Sequence, residues 1–186
     1  MRMKPEKLLN EIFNCSEIGK AINDETHPCN AIVNLQKKNR HCPEPWTGDI
    51  VNCEVLFVSS NPSINKNEYY PSKEGRRKIE IDEFFTCRFN ADYGFTQQYN
   101  WGFRARLNNG NDLMAKYSRG VSYWSRIWAY ALFILHKKNK NDVIPGSSYA
   151  LTEIVHCKSE KEKGVKQAMT CCSGKYLTKI MEITKV

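Results

Sequence analysis

The chain has 186 residues, 41% of them apolar, which suffices for one domain with a core of its own. No stretch approaches the roughly 18 apolar residues that span a bilayer, and the amino-terminal MRMKPEKLLNEIFNC mixes charge with Leu, Ile and Phe instead of carrying the unbroken apolar run of a signal peptide. The expected setting is therefore intracellular, where eight cysteines point to metal ligation ahead of disulfides and a net charge of +8 favours an anionic partner such as nucleic acid.

Residues 5–22 read as a helix, with Leu8, Leu9, Ile12, Phe13 and Ile18 at helical spacing, and form an amino-terminal helical extension over 1–28. Pro28 precedes a second helical start from Cys29 to Leu35. The Pro- and charge-rich KKNRHCPEPWTGD then reads as a surface loop.

VLFVSSNPS, from Val55 to Ser63, reads as a buried parallel strand that ends abruptly in small polar residues. Open α/β sheets bind ligands at such carboxyl ends. Pro62 lacks an N–H and disfavours the helical region for Asn61, so the Asn61 carboxamide is expected on a rigid turn.

Residues 64–120 form a long insertion with weak periodicity, in which rings such as Phe84, Phe85 and Trp101 alternate with Arg76, Arg77, Lys78, Arg88, Arg104 and Arg106. Rings stack on bases and cations meet phosphates, a combination suited to unpaired nucleotides. The competing reading is a solvated loop whose rings fill a minor core. Beyond it, YWSRIWAYALFIL within Ser122 to His136 reads as a helix buried against the sheet. A second strand, Tyr149 to His156, and a last helix, Gly164 to Ile183, complete a single α/β domain with a mostly parallel sheet.

Two separated segments together carry a resemblance. VLFVSSNPS resembles the first motif of the uracil-DNA glycosylase superfamily, in which a strand ends in a Gly-x-Asn-Pro-Gly type turn. LTEIVHCKS, with the later GVKQAMTCC and KYL, resembles the strand and following helix of its iron-sulfur branches. The resemblance covers residues 29–186 and implies a three-layer sandwich with a central sheet, acting as a monomer on DNA that is single-stranded or has an extruded base. In that setting Asn61 would hold the attacking water, Pro62 and Ser63 would press on the DNA backbone, Ser60 and Glu153 would meet the base, and Phe85, or its neighbour Phe84, would stack on it.

The resemblance also implies a four-iron four-sulfur cluster. Cys157 and Cys172, with fourteen residues between them, match the family's later pair of ligands. The earlier Cys-x-x-Cys is absent, since position 26 is Thr26. Cys29 matches one member, and the other ligand would be Cys15, Cys42 or His27; the set Cys15, Cys29, Cys157 and Cys172 is the expected one. Zinc on the same residues is the alternative, and the remaining option is no metal, with cysteines such as Cys53 and Cys87 serving as small core hydrophobes.

Two departures bear on function. Glu153 stands where the family reads the base with Asn, so an ionised side chain there accepts only and suits an exocyclic amine, while a protonated one would serve uracil. The family also continues into a further strand and a His-Pro-Ser-like or Asn-Pro-Ser-like loop, so the expectation is a carboxyl-terminally short member. The readings that follow are a DNA glycosylase, a non-catalytic lesion-binding module, and a metal-stapled scaffold protein.

Overall fold

The computed structural model describes residues 3–36, 41–64, 81, 84–85, 95–98, 102–105 and 122–185. Most of the aromatic and basic insertion, including Arg76, Arg77, Lys78, Arg88, Trp101 and Arg106, lies outside these residues, as does Cys87.

Helix α1 (Pro5–Phe13) starts on Pro5, whose missing N–H costs nothing in a first turn, and buries Leu8, Leu9 and Ile12 on one face. The single helix expected over 5–22 is broken. Asn14 turns its side-chain Nδ2 back onto the Asn10 carbonyl at 3.2 Å, and Cys15 leaves the helical region (φ −51, ψ 115) before α2 (Ser16–Asn23) begins. Asn competes for main-chain partners in this way wherever a helix can end. Cys15 consequently sits on a turn between two helices. A short α3 (Asn30–Asn34) follows directly after Cys29.

The central sheet has three strands in the order β1 (Trp46–Thr47), β5 (Tyr149–Glu153), β2 (Val55–Ser59). β2 and β5 are parallel from Val55 opposite Tyr149 to Ser59 opposite Glu153. β1 is antiparallel to β5, with Trp46 opposite Thr152, so the sheet is mixed where a mostly parallel one was expected. Residues alternate across it. Val55, Phe57, Tyr149 and Leu151 pack with Ile127, Trp128 and Ala131 of α4 (Ser122–Ile134). Leu56 and Ala150 pack with Trp46, α1 and the carboxyl-terminal Tyr176, Ile180 and Ile183. Each large side chain so buried contributes about 1.5–3 kcal/mol. The apolar α4 is less buried than its composition implies, because Tyr130, Phe133 and Ile134 face solvent.

Inside the insertion, β3 (Phe95–Gln98) and β4 (Gly102–Ala105) form an antiparallel hairpin that places Arg104 opposite Thr96. The last helical stretch runs as expected to Ile183, as α5 (Val165–Cys172), a π turn (Ser173–Leu177) and α6 (Thr178–Ile183). No helix among the described residues is long and apolar enough to cross a membrane.

Gly164 sets how α5 meets α3. Its φ is +76, and a Cβ there would stand 2.7 Å from the Ile32 main-chain nitrogen. Gly164→Ala is expected to cost about 2 kcal/mol or more, from left-handed strain plus overpacking. The midpoint of urea unfolding measures it, and an unchanged midpoint would refute the close approach.

Candidate functional site

The turn after β2 is held by the segment after β5. Ile154 N donates to the Ser59 carbonyl at 2.8 Å and Val155 N to that of Ser60 at 3.0 Å. The chain then loops out at His156, Cys157 and Lys158, and Ser159 returns to pair with Ser63, its N–H donating to the Pro62 carbonyl at 3.1 Å. Asn61, Pro62 and Ser63 are thereby fixed along one side of 153–159.

Within that frame the Asn61 carboxamide has one defined orientation. Its Nδ2 donates to Ser159 Oγ at 2.8 Å and to the Pro62 carbonyl at 2.9 Å. Both donors are committed, so Oδ1 is the side left to accept a proton donor such as water. Ser60 Oγ donates to Glu162 at 2.6 Å, and both Lys161 and Glu162 hold positive φ, near +51 and +56.

Glu153 ends β5 directly opposite Ser59, on the α4 face of the sheet, and is 8% exposed. Ser59 Oγ and the Tyr123 hydroxyl are hydrogen-bonded there. Burial pushes the Tyr123 phenol up, the Ser59 bond works against that, and the charges of Glu153 and Glu44 push it further up. One polar group of Ser59, Tyr123, Glu153 and Glu44 therefore lies at the carboxyl end of β2 and β5. Phe85 is not presented to it as a stacking platform: its ring is completely buried with Cys42, Ile81 and Phe84, and its carbonyl accepts from Gly48 N at 3.1 Å. A ring that stacks on a base needs an open face, and both Phe84 and Phe85 are used as core.

The loop at 156–158 is tethered below. Glu44 N donates to the His156 carbonyl at 2.8 Å, and His156 Nδ1–H donates to the Glu44 carbonyl at 2.7 Å. Burial holds the imidazole down to about pKa 4, so it is neutral at pH 7. Lys158 is buried with its ammonium 3.6 Å from the Glu44 carboxylate. Lys158→Met alone is expected to cost about 3–5 kcal/mol, because it removes the cation facing a buried carboxylate, whereas a double replacement with Glu44→Leu recovers most of that loss. Thermal melts of Lys158→Met, Glu44→Leu and the double variant decide it; a double loss equal to the sum of the two single losses would mean that the pair is not coupled.

Of the four expected cysteines, Cys29, Cys157 and Cys172 lie in one cluster together with Cys171, while Cys15 packs against another. Cys29 and Cys172 share a buried cluster against which Cys157 and Cys171 pack. Cys172 and Cys171 are the thiols that act most strongly on Cys29. Cys157 lies within electrostatic reach of Cys172 and Cys15, and Cys15 acts likewise on Tyr176, whose hydroxyl donates to the Glu11 carbonyl at 3.2 Å. Cys172 is the more acidic of the central pair. The neighbouring Cys29 favours its thiolate first, and the main chain at His156 and the charge of Lys175 add to that, against the opposing effect of burial. Cys29 is pushed up, first by its neighbour Cys172 and then by burial. Burial also raises Cys157. Lys175 closes the pocket from outside, donating to Ser16 Oγ at 2.9 Å and Glu17 at 2.8 Å.

This donor set has the chemistry that iron and zinc sites use: thiols gathered from distant parts of the chain, one of them already polarised toward thiolate. Among the described residues no three His, Cys, Asp or Glu side chains already converge as they do on a bound ion. Cys42 belongs to a third cluster, and Cys53 to the one that Cys15 also packs against.

Of these groups, Tyr123, Ser159, Glu44 and Cys171 were not singled out as site residues by the sequence. Ser159 and Cys171 had a signal in hindsight, since each adjoins a cysteine motif. Together they describe a mixed α/β protein with a strand-end polar site beside a thiol pocket. No protein-family model matches the chain, and no curated protein or solved structure is detectably similar to it.

Proposed function

We propose that the protein is a DNA glycosylase of the uracil-DNA glycosylase type, hydrolysing the N-glycosidic bond of an extruded, altered base. One observation carries this reading: the Asn61 carboxamide is locked through Nδ2 at a strand end, with Oδ1 left to accept from water. Water so held has a lone pair to direct at the anomeric carbon. Cleavage through an oxocarbenium-like state needs orientation and electrostatic support more than a strong base. The packing of helices on both faces of the mixed sheet agrees with a three-layer sandwich.

In this reading Glu153 and Ser60 meet the base and Tyr123 joins them. An ionised Glu153 accepts from an exocyclic amine, which favours an amine-bearing base over uracil. Pro62 and Ser63 lie along the DNA backbone, and the net charge of +8 supplies salt-sensitive attraction to it. Cys15, Cys29, Cys157 and Cys172 would hold a four-iron four-sulfur cluster, with zinc as the alternative, and the group would act as a staple. It would fix the 156–159 loop and, through Ser159, the orientation of Asn61. The protein works as an intracellular monomer.

A second reading, a lesion-binding module without catalysis, is favoured by the burial of Phe84 and Phe85, which leaves the base without those rings. Release of free base from single-stranded and mismatched oligonucleotides decides between them, run beside binding at low and high salt. Release supports the glycosylase. Salt-sensitive binding without release supports the module, and neither result overturns both.

A further inference from the structure

We propose that the outward face of α4 is a docking track for single-stranded DNA, on which Tyr130 and Phe133 stack on bases while Arg126, Lys137 and Lys138 meet phosphates. The inference goes beyond the strand-end chemistry and takes from that reading only DNA as the strand.

α4 buries Ile127, Trp128 and Ala131 against the sheet, and away from that face Arg126, Tyr130, Phe133 and Ile134 fall within about 100° of arc. All four are exposed. Phe133, at 79%, is the most exposed large apolar side chain among the described residues, and Tyr130 is 56% exposed. A contiguous apolar patch of this kind marks an interaction surface. Residues three apart are neighbours on a helix, so the two rings stand on adjacent turns and can each take a base.

The charge around the patch decides between occupants. The stretch 121–141 carries Arg126, Lys137, Lys138 and Lys140 and neither Asp nor Glu. Lys137 and Lys138 are set down by a fixed helix end: His136 takes a left-handed φ of +53, and the Lys137 and His136 N–H groups donate to the Leu132 and Phe133 carbonyls at 3.0 and 3.1 Å. Cations therefore bracket the rings. A second copy of the chain fits this poorly, because antiparallel pairing of the face about a two-fold axis sets the arginine end of one copy on the lysine end of the other, with no carboxylate in the stretch to offset them. A single strand supplies what both groups need, phosphates for the cations and open base faces for the rings.

The track also joins the strand-end site. Tyr123, in the first turn of α4, is hydrogen-bonded to Ser59 at the end of β2, and the helix rises about 15 Å from there to Phe133. An unpaired strand leaving that site can continue along α4.

The test titrates dye-labelled oligothymidylate into wild type, Tyr130→Ala, Phe133→Ala, Phe133→Tyr and the double variant Lys137→Gln with Lys138→Gln, at several salt concentrations and beside a duplex of the same length. Each alanine variant should weaken single-strand binding about tenfold and duplex binding by less than about twofold, while Phe133→Tyr stays within about twofold of wild type. The lysine double variant should reduce the slope of log affinity against log salt by about 1.4. These side chains are exposed, so melting temperatures should not move. Wild-type binding that both alanine variants leave intact overturns the track and leaves the strand-end reading standing; a wild type that binds no oligonucleotide at low salt overturns both. Ring-dependent binding without any base release upholds the track and ends the glycosylase reading. A wild-type dimer that Phe133→Ala turns monomeric in sedimentation, with oligonucleotide binding unchanged, gives the face to a second copy instead. Tighter binding of oligouridylate than of oligothymidylate overturns DNA as the strand.

Discussion

Replacing Asn61 with Ala is expected to lower single-turnover base release about 100-fold or more, with oligonucleotide binding changed by no more than about twofold. The asymmetry follows from what the side chain touches. Nδ2 is spent on Ser159 Oγ and the Pro62 carbonyl, so the carboxamide contributes orientation of Oδ1 and little else to the fold. Losing these partly exposed bonds costs about 1 kcal/mol of stability, far too little to unfold the domain. Ser159→Ala releases one Nδ2 bond without touching Oδ1 and should be about tenfold down. Asn61→Asp keeps an acceptor toward water but loses both Nδ2 bonds and sets a carboxylate oxygen against the Pro62 carbonyl, so it should fall between Ser159→Ala and Asn61→Ala. Equal release by wild type and Asn61→Ala would remove Asn61 from the chemistry altogether.

The order of these effects depends on a feature only half visible in the sequence. The run of apolar residues before Ser59 and the rigidity that Pro62 imposes on Asn61 are local properties, and they place β2 and its turn, although β2 is half-buried with Val58 exposed where a buried strand is expected. Ser159 acts on Asn61 across ninety-eight positions. Nothing local announces that contact, because it depends on the chain looping out at 156–158 and rejoining the 59–64 segment. The same loop explains why β5 ends at Glu153 when the apolar pattern runs on to His156. Of the distant groupings, the motif spacing marks Cys157 and Cys172, with Cys171 one residue off it, and these three share a cluster with Cys29, while Cys15 packs against another. The break after α1 was hidden for a different reason: apolar spacing continues through Asn14, and a side-chain bond to Asn10 ends the helix. Phe85 lies buried with Phe84, Ile81 and Cys42, as the competing reading of a minor core has it, because ring and charge content alone do not say which rings a core consumes.

Cys29→Ser is the second large effect, and it tests whether the thiol pocket and the strand-end site are one device. Cys29 is buried in the cluster that holds Cys172, Cys157 and Cys171, so its loss removes a thiol from the centre of the group. Metal binding stabilises a fold by its full binding free energy when the unfolded chain holds no site. The variant should lose nearly all bound metal and at least about 3 kcal/mol of stability. Cys53→Ser is the matched control. Cys53 is buried in the other cluster, beneath Ala150 and Ile50, and its replacement should cost about 1–2 kcal/mol without loss of metal. The informative readout is base release by Cys29→Ser at a temperature where it is still folded. If the staple orients Asn61 through Cys157, Lys158 and Ser159, release falls about tenfold while oligonucleotide binding persists. The 153–159 segment is, however, held from two further directions, by His156 and Lys158 on Glu44 and by Gln36 on the Lys158 carbonyl. Unchanged release in a metal-free but folded variant would therefore assign the orientation of Asn61 to Glu44 and Gln36, and confine the cysteines to docking α2 and α5 against each other.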